Sequence, residues 1–325
     1  MLELSSINNC SPKFPYSSGP REYQETAYEN WTRNNYRGIF AMATGTGKTI
    51  TSLNCVLEEY HITGIYCVLV LVPTKALVSQ WISEARKFNY SNIHTTQDKD
   101  WFTVLSNHFL NKRLALKENL IFISTYQSFN GNKFKKLINK EGWSDFILIA
   151  DEAHNLGSAK TLKNLPVKIS KRIGLSATPG RIYDDEGSNA VYEYFNSYPP
   201  CYTYSYSMYK AIHSEPSSLV KYFYYPYFSF LNDFELEEYK KITEKLLLNY
   251  NANKNEFNEY GKRLLIERKR IINKAENKID VLGEIFENVS QKENSLKYTF
   301  VYVPEGIDID FNDYESPTYD EGEKN

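Results

Sequence analysis

The chain has 325 residues, 42% of them hydrophobic, which suits more than one average domain and a sizeable core. A formal net charge of −2 excludes a global basic field, although a cleft that grips phosphates needs only local positive charge. No CxxC pair links Cys10, Cys55, Cys67 and Cys201, which argues against a zinc site or redox dithiol. The longest apolar run, 66–72, is far too short to cross a bilayer, and the N-terminus lacks the pattern of a signal peptide. A cytoplasmic chain without a membrane partner is therefore expected.

Residues 1–20, rich in Ser, Asn and Pro, form an irregular lead-in. From residue 21 short apolar runs at 38–43, 66–72, 120–124, 146–150 and 172–176 alternate with helix-like segments such as 48–59, 75–88 and 126–138. Buried strands interleaved with amphipathic helices predict an α/β fold, a parallel sheet covered on both faces. Ligands of such sheets bind beyond the carboxyl ends of the strands. Residues 184–210 are polar and Tyr-rich. The run 219–231, LVKYFYYPYFSFL, reads as strand, and 233–290 reads as two or three helices with Leu236, Tyr239, Ile242 and Leu246 at helical spacing. A last strand is expected at 298–303. The 27 tyrosines are read as composition and ordinary packing rather than as base-stacking platforms.

Residues 41–49, AMATGTGKT, follow an apolar strand and open a helix, the setting in which a phosphate loop is credible. Gly45 and Gly47 allow backbone N–H groups to face anionic oxygens, with Thr44 and Thr46 between and beside them. The helix start adds its positive end. Lys48 supplies a charge for the β- and γ-phosphates, and the Thr49 hydroxyl suits Mg2+. Met42 stands where the first glycine of G-x-x-x-x-G-K-[ST] falls. Further on, the strand FILIA ends in Asp151-Glu152-Ala153-His154. Asp151 is suited to hold Mg2+ through water, and Glu152 to orient and deprotonate the attacking water. No HExxH accompanies His154, so a hydrogen bond linking the nucleotide site to its neighbours is its better role.

In order, these segments resemble a superfamily 2 DEAH-box helicase or translocase, of the branch that includes the motor subunits of type I and type III restriction enzymes. Arg21 and Gln24, with Ala27 and Trp31, resemble the glutamine motif, whose Gln reads adenine. Met42–Thr49 matches the form of the phosphate loop in this branch, which often lacks the first glycine. Thr74 and Lys75, with Leu77, Gln80 and Trp81, resemble motif Ia, and ISTYQ at 123–127 resembles motif Ib. GLSATP at 174–179 resembles motif III. The resemblance implies ATP and Mg2+ as cofactors, nucleic-acid contacts at Thr74, Lys75 and Thr125, and coupling roles for Ser176 and Thr178 beside His154. Phosphate and sugar contacts of that kind are blind to sequence.

The implied organisation is a RecA-like ATP-binding domain at 21–206, a helical and β connector at 207–297, and at 298–325 the start of an incomplete second RecA-like domain. The expected function is that of an ATP-dependent motor on nucleic acid, with double-stranded DNA ahead of RNA, in restriction, anti-phage defence or DNA repair. No QxxGRxxR-like arginine-finger segment occurs. The second lobe is therefore expected from a missing C-terminal part or another chain, and the isolated chain should hydrolyse ATP poorly. A nuclease or methyltransferase is a further expected partner. The rival reading is a non-hydrolysing, ATP-binding scaffold module of a larger complex.

Overall fold

The structure, a computed structural model, describes residues 11–138, 142–181, 184–251, 256–293 and 295–302. It divides into two compact units, with the boundary between Lys221 and Tyr222.

The first unit opens with α1 (Glu22–Arg33), β1 (Arg37–Met42), α2 (Lys48–Thr63), β2 (Cys67–Val72), α3 (Lys75–Lys87), β3 (Ile93–Thr95) and α4 (Trp101–Arg113). It continues through β4 (Leu120–Thr125), α5 (Tyr126–Phe129), α6 (Asn132–Ile138), β5 (Ile147–Asp151), α7 (Ala159–Leu162), β6 (Lys171–Ser176), α8 (Asp185–Phe195), β7 (Tyr204–Tyr206) and α9 (Met208–His213). The strands form one sheet in the order β3-β4-β2-β5-β6-β1-β7. Each described pairing within it is parallel.

The apolar runs explain why this sheet is covered twice. Successive side chains of a strand point to opposite faces, so a strand apolar at every position must bury both. In β2, Val68, Val70 and Val72 pack into one core cluster, while Cys67, Leu69 and Leu71 pack into the other. β5 divides in the same way, with Ile147 and Ile149 on the first face and Leu148 and Ala150 on the second. Cys55 and Cys67 are buried, as their apolar surroundings imply, and burial pushes the Cys67 thiol up to about 12.

One buried cation ties the amino end of β6 to its neighbours. Arg172, 6% exposed, donates to the carbonyls of Ile169 at 2.6 Å, Tyr194 at 2.8 Å and Val167 at 2.9 Å. Its guanidinium also stacks on the Tyr194 ring at 4.0 Å. Arg172→Met should leave those carbonyls short of donors and cost about 2–4 kcal/mol, read as a lower denaturant midpoint at unchanged slope. A midpoint equal to wild type would show that the three carbonyls find other partners.

Several expectations need correction. The helix expected over 126–138 is broken after α5, where Gly131 separates it from α6. The polar stretch 184–210 contains α8 and β7, and β3 and α4 lie where no element was foreseen. The run 219–231 is not a strand and carries no regular secondary structure. A strand exists only through ladder hydrogen bonds to a neighbour, and no described strand pairs with this run. Its rings are consequently exposed, Phe223 and Tyr224 at 80% each. For the same reason 298–302 forms no strand. Residue 303 and the rest of the expected second-lobe start lie outside the described residues.

The second unit holds α10 (Asp233–Leu248), the short antiparallel pair β8 (Tyr250–Asn251) and β9 (Glu256–Phe257), α11 (Glu259–Lys274) and α12 (Asn277–Glu293). Asn232 caps α10 by accepting from the Glu235 N–H at 2.9 Å, and Glu235 returns a bond to the Asn232 N–H. Ile242, Leu246 and Leu264 form its small core, which bears out the helical spacing of Ile242 and Leu246.

Candidate nucleotide and metal site

The register of three neighbouring strands builds the site. Phe40 of β1 and Asp151 of β5 both pair with Leu175 of the intervening β6, and Ala41 pairs with Ser176. The loops after β1, β6 and β5 therefore leave the same carboxyl edge. With strands spaced about 4.8 Å apart, Asp151 lies on the order of 10 Å from the start of the phosphate loop. The loop and the acidic pair share one side of the sheet.

The loop has the conformation its glycines permit. Gly45 and Gly47 have φ of +83° and +80°, the left-handed region that costs other residues strain. Gly47 is the N-cap of α2, contributes no side-chain cap, and leads into a first turn without an acidic residue. The first N–H groups of this 16-residue helix thus have no side-chain acceptor, which suits an anion. Lys48 lies across the loop and donates to the Met42 carbonyl at 3.3 Å. The absent first glycine has a simple reading here: position 42 is used through its backbone, while its side chain is fully buried in the core.

Not every threonine of the loop faces outward. Thr44 is exposed, whereas Thr46 is 2% exposed and donates its hydroxyl to Ala43 O at 2.6 Å, so its side chain shapes the loop. Gln24 is buried beside it. Its Oε1 accepts from the Arg21 N–H at 2.9 Å, and its Nε2 donates to the Thr51 hydroxyl at 3.3 Å. Arg21 itself is exposed. Gln24 is thereby fixed next to Gly47, with one hydrogen and one lone pair still uncommitted on its amide.

At the acidic end Asp151 is 8% exposed. Its Oδ2 accepts from Trp81 Nε1 at 2.9 Å, and its Oδ1 from the Glu152 N–H at 3.1 Å. Tyr126 donates to the Asp151 carbonyl at 2.8 Å. Trp81 and Tyr126 fell within the motif Ia and Ib segments, but nothing in their spacing shows that they hold the carboxyl end of β5. Glu152 has φ of +47°. A residue with a Cβ pays about 1–2 kcal/mol there, and such turns cluster at functional sites. Ser176 donates to Glu152 Oε2 at 3.4 Å and accepts from the Thr178 N–H at 3.2 Å. His154 Nδ1 lies 3.4 Å from Ser176 Oγ and 3.6 Å from Glu152 Oε2. Burial lowers the His154 pKa; Glu152 opposes this and Arg181 adds to it. Arg181, to which the sequence assigns no role, braces this corner by donating to His154 O at 2.8 Å and Asp184 Oδ2 at 2.6 Å.

Farther along the same edge, Val72 pairs with Thr125, so the turns carrying Thr74, Lys75 and Thr125 are neighbours. Both threonines are N-caps: Thr74 accepts from Leu77 N at 3.4 Å, and Thr125 from Ser128 N at 3.2 Å. Thr125 is 6% exposed, and Lys75 is exposed.

The donor set fits a magnesium nucleotide. A hydroxyl at Thr49 and a carboxylate at Asp151 are hard oxygen ligands, and Mg2+ completes its shell with phosphate and water. Among the described residues no cluster of three or more His, Cys, Asp or Glu could hold a metal without such help.

Comparison with known proteins agrees with the ordered motifs. Over 166 residues the chain is 27% identical to a putative DNA 3'-5' helicase Rad25 of Haloarcula marismortui, covering 51% of this chain and 24% of that protein. A putative DNA 3'-5' helicase Rad25 of Halobacterium salinarum is 26% identical over 149 residues, 46% of this chain and 22% of that one. The matches thus span about a quarter of these relatives. Among solved structures, the ATP-dependent Type ISP restriction-modification enzyme LlaBIII bound to DNA is 27% identical, covering 52% of this chain and 13% of that one, with a TM-score of 0.41. The Hef helicase domain of Pyrococcus furiosus is 18% identical over 86% of this chain and 55% of that one, with a TM-score of 0.45. The model of the family described as "Type III restriction enzyme, res subunit" matches residues 17–181, which run from the lead-in through the phosphate loop and the acidic pair to the end of motif III. With just over half of its length accounted for in this way, the chain belongs to that family, a helicase-type family of superfamily 2.

Proposed function

We propose that this chain is the ATP-binding part of a DNA motor, a translocase or helicase that couples Mg-ATP hydrolysis to movement. One observation carries the reading: β1, β6 and β5 deliver the phosphate loop, Ser176 and the Asp151–Glu152 pair to one sheet edge. In this reading Gly45, Gly47, Lys48 and the first turn of α2 hold the phosphates, with Thr44 and Thr46 as part of the loop. Thr49 and Asp151 hold Mg2+, Glu152 takes the proton of the attacking water, and Arg21 with Gln24 meets adenine. His154, Ser176 and Thr178 link hydrolysis to movement. Thr74 and Thr125 act through the turns they cap and Lys75 through its exposed ammonium, along the nucleic-acid backbone.

The domain plan is proposed on the same footing: a RecA-like domain over 21–206, a connector over 207–297, and the start of a second lobe from 298. A second RecA-like lobe supplies the arginine that this sequence lacks, a contribution worth about 10³–10⁵ in rate. DNA is favoured over RNA because the two Rad25 relatives named above are named as DNA helicases. Defence against foreign DNA, with a nuclease or methyltransferase partner, fits the restriction branch, and DNA repair is its rival.

The test is steady-state ATP hydrolysis by the chain joined to a second lobe, with and without duplex DNA. Stimulation by duplex about tenfold or more is expected, weakening as salt rises. Tight Mg-ATP binding with no hydrolysis under any nucleic acid would favour the scaffold reading instead.

A further inference from the structure

The phosphate loop carries a brace that its own motif does not contain. Tyr23 of α1 donates its hydroxyl to the Thr46 carbonyl at 2.7 Å. Its ring stacks on Tyr206, at the end of β7, with centroids 4.3 Å apart and planes 15° from parallel. Tyr206 is 5% exposed, and its own carbonyl accepts from the Ala43 N–H at 2.9 Å, at the opposite end of the loop. Two tyrosines from elements far apart in sequence thus hold both ends of the loop.

The bond to Thr46 O has a directional consequence. In a trans peptide the C=O and the following N–H point in opposite directions. Fixing the Thr46 carbonyl toward Tyr23 therefore turns the Gly47 N–H away from Tyr23. That peptide is free to flip, because Gly47 tolerates either sign of φ. The Thr46 hydroxyl, bonded to Ala43 O, restrains the residue but not this peptide plane.

We infer that Tyr23 is a positioning residue, a latch on the Thr46–Gly47 peptide plane that keeps the Gly47 N–H turned toward the phosphate side, with Tyr206 as the surface that holds the latch in place. The inference rests on the proposed phosphate-binding role of this loop. It assigns to Tyr23 an effect on the phosphate part of the ligand and none on the base, although Tyr23 adjoins Gln24.

The experiment uses the 325-residue chain and displacement of a fluorescent nucleotide. Tyr23→Phe keeps the stack and removes only the hydroxyl. The expected result is a loss of affinity of about tenfold, by the same factor for Mg-ATP, Mg-GTP and magnesium pyrophosphate. Tyr28→Phe is the control: on the same helix it removes a hydroxyl that donates to Glu59 at 3.0 Å, and it should leave all three affinities unchanged. Tyr206→Leu should reproduce the Tyr23→Phe loss, and Tyr206→Phe should not. Unchanged pyrophosphate affinity in Tyr23→Phe overturns the latch, as does an equal loss in Tyr28→Phe. Failure of the wild-type chain to bind Mg-ATP at all would instead overturn the phosphate-loop reading beneath it.

Discussion

Lys48→Ala is expected to lower Mg-ATP affinity on the order of a hundredfold, the worth of a strong charge-assisted contact. Lys48 is half-buried at the head of α2, and its ammonium is held across the loop by the Met42 carbonyl. Alanine is a good helix former at this half-buried helix start, so the fold should stay intact. Titration calorimetry with Mg-ATP reads the affinity, and hydrolysis with the second lobe present should fall to background. ATPase unchanged from wild type would remove the loop from the site altogether.

Glu152→Gln should separate binding from turnover. Glutamine keeps the shape and hydrogen-bonding length of the side chain but cannot take a proton from water. Mg-ATP affinity should stay within about threefold, because the phosphate contacts assigned here lie in the loop and α2. Hydrolysis in the chain joined to a second lobe should drop by about 10²–10⁴. Glutamine also faces the same left-handed backbone at φ +47°, so strain should change little between the two side chains. Retained turnover would leave Glu152 without a catalytic role. Weakened binding at normal turnover would place it among the ligand contacts instead.

How much of this was legible from the residues differs by element. The five apolar runs gave the central strands because a strand buried on both faces has no other pattern to show. The glycine-lysine loop and the acidic pair were legible as neighbours on one sheet edge because each directly follows an apolar strand; an Asp-Glu pair without that strand before it is usually a solvated strand end. β3, β7 and α8 were hidden for different reasons: β3 and β7 are three residues each at the sheet margins, and α8 carries Gly187, Ser188 and Asn189, poor helix formers, in succession near its start. The aromatic run after residue 219 misled because β-prone aromatic composition shows that a segment could join a sheet, but not that a neighbouring strand is present. The bracing contacts of the site were the least accessible. Trp81 reaches Asp151 from 70 positions away, and Tyr206 meets Tyr23 across most of the first unit. Only the folded sheet puts such residues in contact.

The register of β5 sorts the two acids. Ile147 and Ile149 face one core, and Asp151 continues that row to meet Trp81, a member of the same core. Glu152 is the first residue past the strand, where the chain turns away. The two acids are thus told apart by odd and even position along a greasy strand. A slip of one residue would bring Glu152 to the place of Asp151 and drive Asp151 onto the face of Leu148 and Ala150, so the ordinary packing of isoleucines decides which carboxylate is anchored and which is left at the rim.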